Sequence, residues 1–207
     1  MPELKIAHQR LVAWVRQGTE PPASSYPTLA RGELVRPDAG AMGWPALSGW
    51  PSPDGKINRL PDQRFGSGMR YQIMSGMQLR QPPELGPDIA QLVPRVDRDG
   101  NETSGIRSVQ LMVPLGTYLG WNVQVSGFFK GEGCGFAGGF IPFARSKAER
   151  LASHDPRLSL EERYGTHDAF VARVREAASQ HRAAGWLADG DAARIVEQAA
   201  ASGVLRK

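Results

Sequence analysis

Hydrophobic positions recur with a helical period at both ends of the chain and lose any period between them. Leu4, Ala7, Leu11, Trp14 and Val15 fall on one side of a helix, and Lys5, Gln9 and Arg16 on the other. The chain is therefore predicted to open with an amphipathic helix ending at Gly18. Burial of Leu11, Trp14 and Val15 stabilises such a helix by about 1.5–3 kcal/mol each, provided that something apolar lies opposite. Near the other end, Ser146 with Glu149 and Ser159 with Glu162 have the spacing of two capping boxes, in which a serine hydroxyl and a glutamate satisfy free N–H groups at a helix start. Asp155-Pro156 separates them. A longer helix follows from about Thr166, with Phe170, Val171, Val174, Ala177 and Ala178 on one face and Gly185 beyond its end. A last helix carries Ala192, Ile195, Val196 and Ala199 and stops at Gly203.

Between these ends the pattern changes twice. Leu92, Val93 and Val96 precede the polar run Asp97-Arg98-Asp99-Gly100-Asn101-Glu102, and Ile106, Val109, Leu111 and Val113 follow it. Turn chemistry between apolar runs predicts a β-hairpin or short meander. Asp97, Asp99 and Asn101 also match the opening of a calcium loop. The glycine of that motif belongs directly after Asn101, however, where Glu102 stands, so the run reads as a turn. From Gly18 to Pro87 lie eleven of the sixteen prolines, which excludes a long helix or a central strand. Tyr26, Leu29, Leu34, Val35, Trp44, Leu47, Trp50, Phe65 and Tyr71 make this stretch too apolar for a floppy linker. It is expected to be an extended segment draped over a larger body and anchored by its aromatic side chains.

The stretch from Val113 to Arg150 contains a strand-like aromatic run, a Gly-rich loop, an apolar run broken by Pro142, and a helix start. Gly116 and Gly120 let the backbone turn tightly around Tyr118, Trp121 and Asn122, which delivers a polar amide among aromatic rings. These three are the candidate binding residues, lining a cleft. The alternative is that the rings are core and Asn122 caps a turn. Gly133, Gly135 and Gly138 match the dinucleotide-binding pattern in spacing, but Gly139-Phe140-Ile141-Pro142 continues as an extended run where that pattern needs a helix. No cofactor is expected.

Composition adds the loop content. Gly and Pro are 40 of 207 residues, against roughly 12% in average usage, and without any period. The fold class expected is α+β with high loop content, a short β-hairpin or meander being followed by a helical C-terminus. The formal charge of +4 is modest, and basic residues alternate with acidic ones, as in Arg145, Lys147, Glu149 and Arg150, so no nucleic-acid partner is expected. The first fifteen residues interrupt their apolar positions with Glu3, Lys5, His8, Gln9 and Arg10, unlike a signal peptide or a membrane span.

Candidate chemistry is sparse. Cys134 is the one cysteine, which rules out an intrachain disulfide and a thiolate metal cage. No serine has glycines two before and two after it, the pattern of a nucleophile elbow. His8, His154, His167 and His181 lie on or beside expected helices, no two of them at the i, i+4 spacing of a helical metal pair. Glu161, Glu162 and Asp168 sit where a helix first turn favours acids for its dipole alone. No catalytic constellation and no metal site emerge from these residues.

Several longer runs are nonetheless distinctive. They are Leu11-Val12-Ala13-Trp14-Val15 with Gly18 and Pro21-Pro22, Ser25-Tyr26-Pro27, and Leu92-Val93-Pro94-Arg95-Val96-Asp97 with Asp99-Gly100-Asn101-Glu102 and Gly105-Ile106-Arg107. Val113-Pro114-Leu115, Thr117-Tyr118, Gly120-Trp121-Asn122, Phe140-Ile141-Pro142-Phe143-Ala144, Asp155-Pro156-Arg157 and Leu160-Glu161-Glu162-Arg163-Tyr164 continue the series. Together they resemble the later part of a large bacterial group of alpha/beta hydrolase domain proteins. The resemblance spans nearly the whole chain and departs mainly between Trp44 and Pro87.

In that family the nucleophile and the triad histidine lie upstream of the matched part, so the resemblance carries no triad residue onto this sequence. It implies the C-terminal part of an α/β-hydrolase fold: residues 1–18 as the final helix of the hydrolase core, 19–90 as the extended segment, 91–145 as the hairpin and Gly-rich region, and 146–207 as the helical region. The implied partner is a missing N-terminal catalytic half or a homologous hydrolase subunit, and the implied substrate of the complete protein is a small ester. Tyr118, Trp121 and Asn122 are then expected at the active-site mouth. The alternative is a stand-alone interaction or scaffold domain without enzymatic activity.

Overall fold

The computed structural model describes residues 2–50, 52–53, 60–66, 82–128, 130–131, 133–134 and 138–206. Helix α1 (Pro2–Gln17) opens the chain, and Gly18, at φ +69°, caps it by donating to the Trp14 carbonyl at 3.0 Å. The following Pro-rich stretch contains only short elements: β1 (Leu34–Val35), helical turn α2 (Ala39–Met42), β2 (Pro61–Arg64) and β3 (Glu84–Asp88). Next come β4 (Val93–Pro94), helical turn α3 (Val109–Met112), β5 (Gly116–Leu119), β6 (Asn122–Val123), β7 (Gly133–Cys134) and β8 (Gly139–Pro142). Helices α4 (Lys147–Ala152), α5 (Leu160–Tyr164), α6 (His167–Ala183) and α7 (Asp189–Ala201) complete it. The described strands form four two-stranded antiparallel sheets, β1 with β4, β2 with β3, β5 with β8 and β6 with β7. The class is mixed α+β, as expected. No helix among the described residues is long and apolar enough to cross a membrane.

The principal core lies where α6 and α7 pack on each other and on α3. Phe170, Val171, Val174, Ala177 and Ala178 of α6 meet Val109, Val113, Leu187 and Ala199, with Ile195, Val196 and Tyr164 packed around them. All five α6 residues expected on the apolar face are buried. Thr166 caps α6 by accepting the Ala169 N–H, which fixes where the helix begins and hence which face turns inward. Both capping boxes form: Ser146 with Glu149 opens α4, and Ser159 with Glu162 opens α5. His181, expected as a helix-surface residue, is instead buried on α6 one turn after Ala177.

One sequence expectation is corrected here. The hairpin across Asp97–Glu102 shrinks to a single bridge between Val96 and Glu102. Val93 pairs with Val35 rather than with a later strand, and Val109–Met112 coils into α3. Packing distance accounts for this: coiling brings Val109 and Val113 to within about 6 Å of each other along the chain axis and onto the α6 core, whereas in a strand they would lie about 13 Å apart. The opening helix is present, and its apolar residues, for which the sequence offered no opposing surface, are exposed: Leu4 by 67%, Leu11 by 52%, Trp14 by 50% and Val15 by 77%. Ile6 is the buried residue of α1. On that side, Arg10 and Pro22 approach Gly185 at the end of α6, and Lys5 pairs with Asp191 of α7 at 3.2 Å.

Tyr71, and Gly135 of the Gly-rich loop, lie outside the described residues. Tyr26, Leu29 and Trp50, expected as anchors of the Pro-rich stretch, are exposed.

Phe170 stacks edge-on against Tyr164 with ring centroids 5.3 Å apart, at the centre of the core. Phe170→Ala is expected to lower unfolding stability by about 3–5 kcal/mol, read from the shift of a urea transition. The Glu162 carboxyl, ordinarily at 4.5, is drawn down to about 2, first by the Arg150 guanidinium and next by the Ser159 N–H. Because folding lowers this value, its contribution is complete above about pH 4.5 and disappears as pH falls through about 2. Glu162→Gln should flatten the acid limb of a melting-temperature profile taken across that window.

Candidate functional site

The candidate residues sit on and beside the β5–β8 hairpin. β5 pairs with β8 in the register Gly116 to Pro142, Thr117 to Ile141, Tyr118 to Phe140 and Leu119 to Gly139. Gly116 is required there, since a Cβ on it would run into the Ile141 carbonyl. Across the hairpin, the Tyr118 ring lies 5.1 Å from that of Phe140. Trp121 lies 5.8 Å from Trp44, so two indoles from distant parts of the sequence form one aromatic wall. Asn122 starts β6, and its side-chain oxygen accepts the Val123 N–H at 2.9 Å. That bond is the turn-capping use of an asparagine, and it leaves the amide NH2 as the part of the side chain that a ligand can meet. Burial raises the Tyr118 phenol above its ordinary value, the Leu115 backbone partly opposing the rise.

Behind this aromatic surface lies a polar network that sequence reasoning missed. Asp97 accepts the N–H groups of Asp99 and Asn101 at 2.9 and 3.0 Å, which curls the polar run into a tight turn. Its carboxylate thus serves the backbone, which is the physical reason that the run is a turn. Gly100, at φ +80°, completes the curl, and a Cβ on it would lie 2.8 Å from the Thr117 methyl. The turn is thereby pressed onto β5. Asn101, fully buried, donates to the Gly116 carbonyl at 3.1 Å and accepts the Tyr118 N–H at 2.9 Å. One side-chain amide so takes the place of a neighbouring strand.

Two arginines close the network from below. Arg157 donates to the Thr117 hydroxyl at 2.8 Å and to the Ile141 and Pro142 carbonyls at 3.0 and 3.1 Å. Its other edge is held by Asp155 at 2.7 Å. Burial alone raises the Asp155 carboxyl, but the hydrogen bonds from Arg157 outweigh it and the net shift is downward. Arg163 grips both oxygens of Asp99, and its guanidinium lies 4.0 Å from the Phe143 ring centroid. Burial pushes the Tyr164 phenol up to about 12, and its hydroxyl donates to the Pro114 carbonyl at 2.7 Å. The Asp-x-Asp-Gly-Asn run was a visible signal for the turn. Nothing local marked Arg157, whose partner Thr117 is 40 residues away.

The structure therefore brings Tyr118 and Asn122 to one hairpin end and sets Trp121 against Trp44, on a rigid base. The arrangement can stack an apolar or aromatic group and offer it an amide hydrogen bond. The histidines stand apart from such a role: His8 and His154 are exposed, and the ring nitrogens of His167 lie 2.8 and 3.2 Å from the Val204 and Ala200 carbonyls. Among the described residues no group of three His, Cys, Asp or Glu side chains could hold a metal ion.

Comparison with known families places the chain. A model described as alpha/beta hydrolase domain matches residues 2–197. The chain belongs to this alpha/beta hydrolase domain family. The match takes in α1, the turn, the hairpin and the first two thirds of α7, so the turn-on-hairpin network lies within the family's domain. Neither the curated proteins nor the solved structures gave a match.

Asn101→Ala leaves the Tyr118 N–H and the Gly116 carbonyl without their buried partner, at about 1–3 kcal/mol for each group. Thermal unfolding should show that loss, and the exposed-turn variant Glu102→Ala should not.

Proposed function

We propose that this chain is a non-catalytic portion of an alpha/beta hydrolase domain protein that hydrolyses carboxylic esters when complete. The nucleophile and triad are then supplied by an N-terminal catalytic half or by a homologous hydrolase subunit. The observation that carries this reading is the surface of α1, where Leu4, Leu11, Trp14 and Val15 are exposed on a helix inside the family match. An apolar helix stripe gains its stability when it is packed on another layer, and helices that flank a parallel sheet bury such stripes. In this reading α1 is the last helix of the hydrolase core, residues 19–90 drape over that core, and 91–145 and 146–207 form the hairpin and helical regions. Tyr118, Trp121 and Asn122 border the active-site mouth, where the aromatic wall receives a small ester and the Asn122 amide orients it.

A second reading, a stand-alone interaction or scaffold domain, is favoured by a different observation. The core of α3, α6 and α7 closes on itself without help from α1. In that case the α1 stripe docks a partner and no ester chemistry follows.

Incubation of the 207-residue chain with a serine-reactive fluorophosphonate, followed by intact-mass measurement, is expected to show no adduct. A stoichiometric adduct on one of its serines overturns the non-catalytic reading. Trp121→Ala in the complete hydrolase tests the mouth assignment: a KM for a small ester raised about five- to tenfold supports it, and unchanged kinetics reject it.

A further inference from the structure

A projecting finger continues the aromatic wall on the side of Asn122. Strands β6 and β7 pair Asn122 with Cys134 and Val123 with Gly133, and the Gly131 N–H adds a further rung to the Gln124 carbonyl at 2.8 Å. The tip then turns through Gly127 and Gly131, at φ +84° and +90°, with the Lys130 N–H donating to the Gly127 carbonyl at 3.2 Å. Every described residue from Gln124 to Gly131 is exposed.

A turn in water is ordinarily built from small and polar side chains. This one carries Val125, exposed by 82%, and Phe128, exposed by 96%, the two most exposed large hydrophobic side chains among the described residues. The core of α3, α6 and α7 closes without them. Exposed apolar groups gathered at one place mark a contact surface. Charge does not supply the attraction, because Lys130 is followed two residues later by Glu132 and the two cancel.

Shape narrows the partner. A flat protein interface takes about 800 Å² from each side, whereas a finger tip presents two apolar side chains and fits a recess. The stripe of α1 is a second apolar surface left open within the same family match, so one covering body accounts for both. We propose that the finger seats Val125 and Phe128 in an apolar recess of the catalytic half, at the rim of the active-site mouth beside Asn122. The proposal rests on the ester-hydrolase reading and adds to it a docking element that the reading does not use.

Hydroxyl-radical footprinting of the wild-type 207-residue chain and of the complete hydrolase tests it, with oxidation read residue by residue from tandem mass spectra. Phe128 is expected to oxidise readily in the 207-residue chain and to be protected in the complete hydrolase. Trp14 and Leu11 report on the ester-hydrolase reading in the same digest. If they are protected and Phe128 is not, the finger proposal falls and that reading stands. If none of the three is protected, both fall. Phe128→Ser gives a second readout. Its melting temperature should be unchanged in the 207-residue chain, where the side chain is exposed, and about 2–5 °C lower in the complete hydrolase. The KM for a small ester should rise about three- to tenfold. A melting temperature unaffected in both proteins overturns the proposal, as does protection of Phe128 with an unchanged KM. Sedimentation of the 207-residue chain with phosphatidylcholine vesicles, lost in Phe128→Ser, assigns the tip to a lipid surface and likewise overturns it.

Discussion

The bidentate and branched hydrogen bonding of Arg157 is the interaction on which the middle of this protein depends. Its guanidinium is buried, and a buried cation is tolerated only when its donors are all engaged and a carboxylate lies beside it. Asp155 supplies the charge, and Thr117, Ile141 and Pro142 supply the acceptors. Since Thr117 is on β5 and the two carbonyls are on β8, a single side chain spans both strands of a hairpin only four residues long on each side. Such a hairpin is marginal without support. The same Thr117 hydroxyl donates to the Asp99 carbonyl, so the hairpin, the polar turn and the segment before α5 are held by one connected network.

The aromatic wall stands on that base. Tyr118 takes its backbone partner from Asn101, and Trp121 follows it by three residues, before Asn122 enters β6. Arg163, which holds Asp99 and lies over Phe143, links the network to α5 and so to the α6–α7 core. The aromatic wall is thus mounted on a short sheet held by buried ion pairs and linked to a helical core. The burial of Asn101 and Arg157 makes the mount intolerant of truncation, since removing one partner leaves the others unpaired in a dry environment.

Helix α1 stands in contrast. Its fixed contacts come from Ile6, Arg10 and Lys5, and its larger stripe of Leu4, Leu11, Trp14 and Val15 is exposed. The family match includes α1 from its first turn. The protein therefore offers two distinct surfaces, an aromatic wall and an apolar helix face.

Local signals determined the helical end of this protein. Ser146 with Glu149, Ser159 with Glu162, and Thr166 mark helix starts through bonds between residues three apart, and such short-range chemistry is written in the sequence itself. The buried face of α6 was legible for the same reason, its period being that of the helix. The family resemblance, carried by runs such as Asp97–Glu102 and Gly120-Trp121-Asn122, was legible as well. Tertiary structure alone decided the rest. Val109 was expected in a strand after the polar run but coils onto the α6 core, and β4 took Leu34–Val35 as its partner where an adjacent run was expected. Arg157 finds Thr117 across 40 residues and Arg163 finds Asp99 across 64, distances at which no periodicity or spacing rule connects two side chains. Which face of α1 is covered depends on what surface is present to cover it, a question of packing that no pattern within sixteen residues can answer.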